Sequence, residues 1–218
     1  MQDEESYTIN EHYVPRFYLS NFCIEGSNGT AYSIEATNPY AKIKPHSIEK
    51  LCSCNDMYES QIGDDYFWRN KAEKTLSVYE QKQKELINKI KRVASNKNAF
   101  GKLPVLSENE KDLFLSFVAI MLLRNKSIYT QLYYTALEQV ECFKNTPLEE
   151  LAKAAAKQAT NALILPTGYI DNELAGKFHD WVVSWIKEMS FAFIYSQNYF
   201  VTSNMPISIL KHKNNDTI

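Results

Sequence analysis

The stretch Leu113 to Leu123 constrains this chain most: eleven residues, all apolar except Ser116. Ser107-Glu108-Asn109-Glu110 precedes it and reads as a capping box, in which the serine hydroxyl accepts an amide hydrogen while Glu110 reaches back to the first turn. Leu113, Phe114, Phe117, Val118, Ile120, Met121 and Leu122 leave little of such a helix polar. A helix apolar on most sides has to be surrounded by other elements. The run is only about half of the ~20 residues a membrane-crossing helix needs, so a buried central helix is expected and no membrane partner. Arg124 follows it directly. The spacing predicts that the helix continues to about residue 143, with a bend near Asn125.

Helical periodicity also dominates the flanks. Apolar residues at 68, 72, 76, 79, 86, 87, 90 and 93 predict a helix from about 67 to 93. Thr146-Pro147 with Glu149 and Glu150 opens another through Leu163, and Asp171 is expected to cap a long one to about Tyr195. Six glycines and seven prolines in 218 residues are too few for a many-stranded sheet. Strand-like segments lie towards the ends: 30–36 after the turn signal Gly26-Ser27-Asn28-Gly29, then 199–203 and 206–210. A short helix is expected over 14–22, with Pro15 at its first position. Another is expected from Pro45 through Cys52. The reading is one α+β domain over 1–218, mostly helical, with loose tails at 1–10 and 211–218. It has four or five helices packed on a small sheet formed by N- and C-terminal strands.

Charge is unevenly spread although the net is −2. Residues 1–65 carry 4 basic and 11 acidic side chains; residues 66–102 carry 10 basic and 3 acidic. The basic block, with Lys82, Lys84, Lys89, Lys91 and Arg92, can attract a phosphate-bearing ligand or nucleic acid. The favoured alternative is a solvated helix face whose field the acidic N-terminal third cancels. The four cysteines include only the tight Cys52-Ser53-Cys54 pair, which does not fit usual zinc spacing. The chain opens on polar and acidic residues, so no leader is expected and a cytoplasmic setting with reduced thiols is. No glycine-rich phosphate loop, nucleophile elbow or H-E-x-x-H pattern is present, and no cofactor or metal is implied.

Three polar features remain. His12 and Arg16 flank the start of the first short helix and could hold an anion or oxyanion; the alternative is a histidine bonded to a carbonyl and an arginine paired with an acid. Glu73 and Glu80 lie two turns apart on the helix of 67–93, either as a general base or as partners for Arg124. Thr202-Ser203-Asn204-Met205-Pro206 forms a polar corner or a capped turn.

His12-Tyr13-Val14-Pro15-Arg16-Phe17-Tyr18-Leu19, with Asn21-Phe22, resembles the opening of a largely prokaryotic domain-of-unknown-function family known for its His-Tyr-Val-Pro motif. The similarity extends over about residues 11 to 209, through Tyr58, Glu73, Glu80, Arg124 and the late Thr-Ser segment. Two departures accompany it: Asn204 stands where the family has aspartate, and Met205 where it has asparagine. The resemblance also implies a C terminus shortened relative to the family and a setting in defence or mobile elements. It implies convergence of the three features into one pocket. In the enzyme version His12, Arg16, Glu73 and Arg124 would be catalytic, with Tyr13, Thr202, Ser203 and Asn204 binding the ligand of a hydrolase acting on a phosphate-containing or nucleic-acid substrate. In the rival version the same residues form a structural network in a protein-interaction module.

Overall fold

A computed structural model describes residues 10–35, 37–63, 65–67, 70–95, 106–166 and 176–189. The capping box forms: the Ser107 amide and hydroxyl both donate to Glu110 Oε2, at 2.8 and 2.9 Å. It opens helix α3, Glu108–Leu123, while α1 (Arg16–Leu19) and α2 (Lys71–Ser95) precede it in the chain. Leu115, Phe117 and every residue from Ala119 to Leu123 are buried, so α3 is the axis of the core. Helices α4 (Lys126–Glu138), α5 (Glu149–Ile164) and α6 (Lys177–Lys187) complete the helical part. Helices α2 and α6 pack on α3, and α4 packs on α5.

The expected bend at Asn125 is a break. The axes of α3 and α4 differ by 68°, and Asn125 Oδ1 caps α4 by accepting from the Ser127 and Ile128 amides. No single helix among the described residues is long and apolar enough to cross a membrane.

The β structure corrects the expectation. Strands β1 (Asn10–His12), β2 (Thr30–Ser33), β3 (Lys44–Ser47), β4 (Ser53–Asn55), β5 (Ser60–Ile62) and β6 (Asp65–Phe67) all lie in the first third of the chain. They pair with one another as three antiparallel two-stranded sheets: β1 with β4, β2 with β3, β5 with β6. Six α-helices, not four or five, stand among the described residues, and the strands that form the sheets are N-terminal alone there. The expected strands at 199–203 and 206–210 lie outside the described residues.

Two local differences have clear causes. Pro45 was a candidate helix opener, yet it sits in β3 opposite Tyr32. A proline without an N–H is tolerated on an edge strand as readily as at a helix start. The helix expected from Asp171 cannot run unbroken, because Gly176 has φ +75°, outside helical space, and α6 starts behind it. Pro15 is the residue before α1 rather than its first position, and a 3-10 turn over Ser20–Phe22 finishes that segment.

Candidate functional site

Helix α2 sets the polar interior. Glu73, Leu76, Glu80 and Gln83 follow steps of three and four, which places them on one face. Leu76 and Gln83 on that stripe are buried. Arg124 is the C-cap of α3, so its side chain leaves the end of the most apolar helix and meets this stripe. Its guanidinium is 1% exposed. Nη1 donates to Glu80 Oε1 at 2.6 Å, Nε donates to the Tyr58 hydroxyl at 3.0 Å, and Nη2 donates to the His12 carbonyl. The guanidinium carbon also lies 5.7 Å from the centre of the Tyr58 ring.

Tyr58 is the hub. Its amide donates to Glu11 Oε2 at 2.6 Å, and its carbonyl accepts from Asn161 Nδ2 at 2.6 Å. Asn161 Oδ1 in turn accepts the Tyr129 hydroxyl hydrogen at 2.8 Å, and the Tyr58 and Tyr129 rings meet edge-on at 5.4 Å. One residue therefore ties β1, α3, α4 and α5 together.

Strand alternation explains why Glu11 points inward. Its neighbours Asn10 and His12 face outward or partly so, while Glu11 is fully buried. Glu11 Oε1 meets no donor among the described residues, and the nearby Glu59 carboxyl works against its ionisation. Neighbouring carboxylates disfavour carrying charge together. Glu59 Oε1 accepts from the Asn70 amide at 2.9 Å, at the start of α2. Further along α2, Glu73 Oε1 and both side-chain polar atoms of Gln83 are buried with no partner among the described residues.

The electrostatics follow from this crowding. Burial, aided by Glu73 and Glu59, pushes the Glu11 carboxyl up to about 8 against the opposing Tyr58 amide. Burial raises Glu73 too, with Arg124 opposing and Glu80 and Glu59 adding. The Tyr58 hydroxyl is pushed up to about 12, chiefly by burial. Burial works against the charge of Arg124, but Tyr58, Glu80 and Glu73 outweigh it, so the guanidinium stays protonated. His12 is lowered by burial first and by Arg16 and Arg124 after it, with the Ile48 carbonyl opposing.

Of the sequence-derived candidates, Arg124 and His12 meet, though His12 contributes its carbonyl oxygen. Its ring Nε2 lies 3.1 Å from the Ile48 carbonyl, which can only accept, so that nitrogen carries the hydrogen. Glu73 stands close enough to Arg124 to feel its charge. Arg16 does not join them: it pairs with Glu49 at 3.0 Å on the surface, both more than half exposed. Tyr13 is buried, and its amide donates to the Cys52 carbonyl at 3.0 Å. Thr202, Ser203 and Asn204 lie outside the described residues.

In the basic block, Lys89 pairs with Glu110 at 2.5 Å and Lys91 donates to Asn21 Oδ1 at 2.7 Å. Lys82, Lys84 and Arg92 are exposed. At 100° per residue, Lys84 and Lys91 fall on the side of α2 opposite Lys82 and Lys89. The block is thus no single stripe.

Sequence reasoning missed Glu11 and Glu59 as an acid pair and Asn161 as the brace of Tyr58. For Glu11 a signal existed, since it shares the inward register of the first strand with Tyr13. For Asn161, within the alanine-rich α5, none did. No group of three or more metal-ligating side chains is assembled among the described residues.

A family model described as "Protein of unknown function (DUF4238)" matches residues 10–217. No curated protein and no solved structure matches the chain.

Proposed function

We propose, from the premise that this chain belongs to the family of proteins of unknown function DUF4238, that it is a non-enzymatic protein-interaction module whose motif residues form an internal clamp. The observation that carries this reading is the burial of Arg124. At 1% exposure, with three of its five N–H donors given to protein oxygens, it lies out of reach of a substrate approaching from solvent. An arginine that held a substrate anion would need to touch it. Arg16, the other cation of the motif, is already neutralised by Glu49 and stands apart.

Support for an interaction role comes from the surface of the N-terminal region. Tyr32, Ile34, Tyr40 and Ile43 are exposed by 65%, 55%, 89% and 67% along β2 and the loop to β3. Clustered exposed apolar side chains of this kind mark contact surfaces. Lys42 and Lys44 flank them, which suits a partner with an apolar centre and an acidic rim.

The test is equilibrium denaturation of Arg124→Met and Glu80→Gln. The clamp predicts that both unfold at lower denaturant, because each strands a buried charge or acceptor. Unchanged or increased stability would instead indicate a site strained for a ligand, and would overturn this reading.

A further inference from the structure

A groove of about 540 Å³ opens beside the junction of β5 with α5, a volume in the range of small-molecule sites. Glu59, Ser60 and Gln61 line it from the strand side, with Tyr133, Glu150, Lys153 and Lys157 opposite. The two lysines differ. Lys153 is exposed and already paired with Glu149 at 2.7 Å and Glu150 at 2.9 Å. Lys157 is half-buried; its Nζ donates to the Asp56 carbonyl at 3.0 Å and sits 5.5 Å and 5.9 Å from the Tyr133 and Tyr129 ring centres. No carboxylate among the described residues closes an ion pair with it.

An ammonium carries three hydrogens, and the Asp56 carbonyl uses one. The fold has therefore already borne part of the cost of desolvating this cation and left donors for something else. We propose that this groove binds a small ligand through a singly charged carboxylate or phosphate group, with Lys157 as the anion anchor and Tyr133 as the wall for the ligand's body. Glu59 on the same lining, and Glu150 beside Lys153, oppose a second negative charge, which restricts the fit to a monoanion. Burial holds Lys157 below its ordinary value, so a bound anion would raise it again. Lys157 is not part of the Arg124 network, and the site stands or falls separately from the clamp.

The experiment titrates the full chain, ¹⁵N-labelled, with sodium phosphate and separately with sodium acetate at pH 6, against sodium chloride at matched ionic strength. The expected result is a saturating shift of amides at 59–63 and 153–158 with at least one of the two anions; which one responds identifies the group. Lys157→Met should weaken it at least tenfold, while Lys157→Arg should retain it and Lys177→Met on α6 should leave it unchanged. Retention by the arginine variant separates loss of the anchor from loss of the fold. Shifts no larger than those of chloride, or an undiminished affinity in Lys157→Met, would overturn the proposal.

Discussion

The N-terminal third buries two carboxylates and exposes two of its tyrosines. Glu11 and Glu59 are 0% and 7% exposed, whereas Tyr32 and Tyr40 are 65% and 89% exposed and Ile43 on the β2–β3 loop is 67% exposed. The same region thus shows two inversions of the usual partition. Each costs free energy, and each has its own rationale. The interior charges form a hydrogen-bonded clamp that specifies how β1 docks on the end of α3. The exterior apolar side chains contribute nothing to that docking, which leaves them available to a partner. The lesson is that the motif's polar residues need not mark a catalytic surface.

Breaking the interior side should have the largest effect. Arg124→Met removes the cation that pairs with Glu80 and whose charge reaches Glu73, and is expected to cost about 3–5 kcal/mol in urea denaturation. A pH series sharpens the picture. Between about pH 4.5, its ordinary value, and about 8, Glu11 binds a proton in the folded chain that it has lost in the unfolded one. Stability therefore falls as pH rises through that window, by at most about 1.4 kcal/mol per pH unit from this group. His12, lowered in the fold, acts in the opposite sense: its contribution is lost as pH falls below 6.5. Glu11→Gln mimics the protonated acid, so the Glu11 share of the slope should vanish and the variant should be more stable than the parent at pH 8. Tyr58→Phe deletes the acceptor of Arg124 Nε and is expected to cost about 1.5–3 kcal/mol, read by the same denaturation.

On the exterior side the expected effects are small. Arg16→Ala breaks an exposed pair with Glu49 and should change stability by about 0–1 kcal/mol. Tyr40→Ser with Ile43→Ser should stay within about 0.5 kcal/mol of the parent by thermal melting. A large loss there would mean that the loop supports the core, and the contrast between the two regions would fail.

Local features were legible in the sequence and remote ones were not. The capping box at Ser107–Glu110 spans four residues and forms as read. The pairing of Arg124 with an α2 glutamate was legible as an alternative, because a charge fastened to the end of an apolar helix has to find a counter-charge. Glu80 closes the pair. Tyr58 and Asn161 resisted because their bond crosses 103 residues and is made by a backbone carbonyl, for which no side-chain pattern exists. The helix expected at Pro45 failed for a related reason: only its pairing with Thr30–Ser33 turns that segment into a strand. The approach of Glu11 to Glu59 likewise required β1 to meet the segment just before β5.

The claim at the centre is that Arg124 and Glu80 act as one structural unit. A double-mutant cycle with Arg124→Met, Glu80→Gln and the combined variant, followed by urea denaturation, measures that coupling directly. The account predicts a coupling of at least about 2 kcal/mol, with the double variant little worse than Arg124→Met alone. Additive losses, with coupling within about 0.5 kcal/mol, would contradict it.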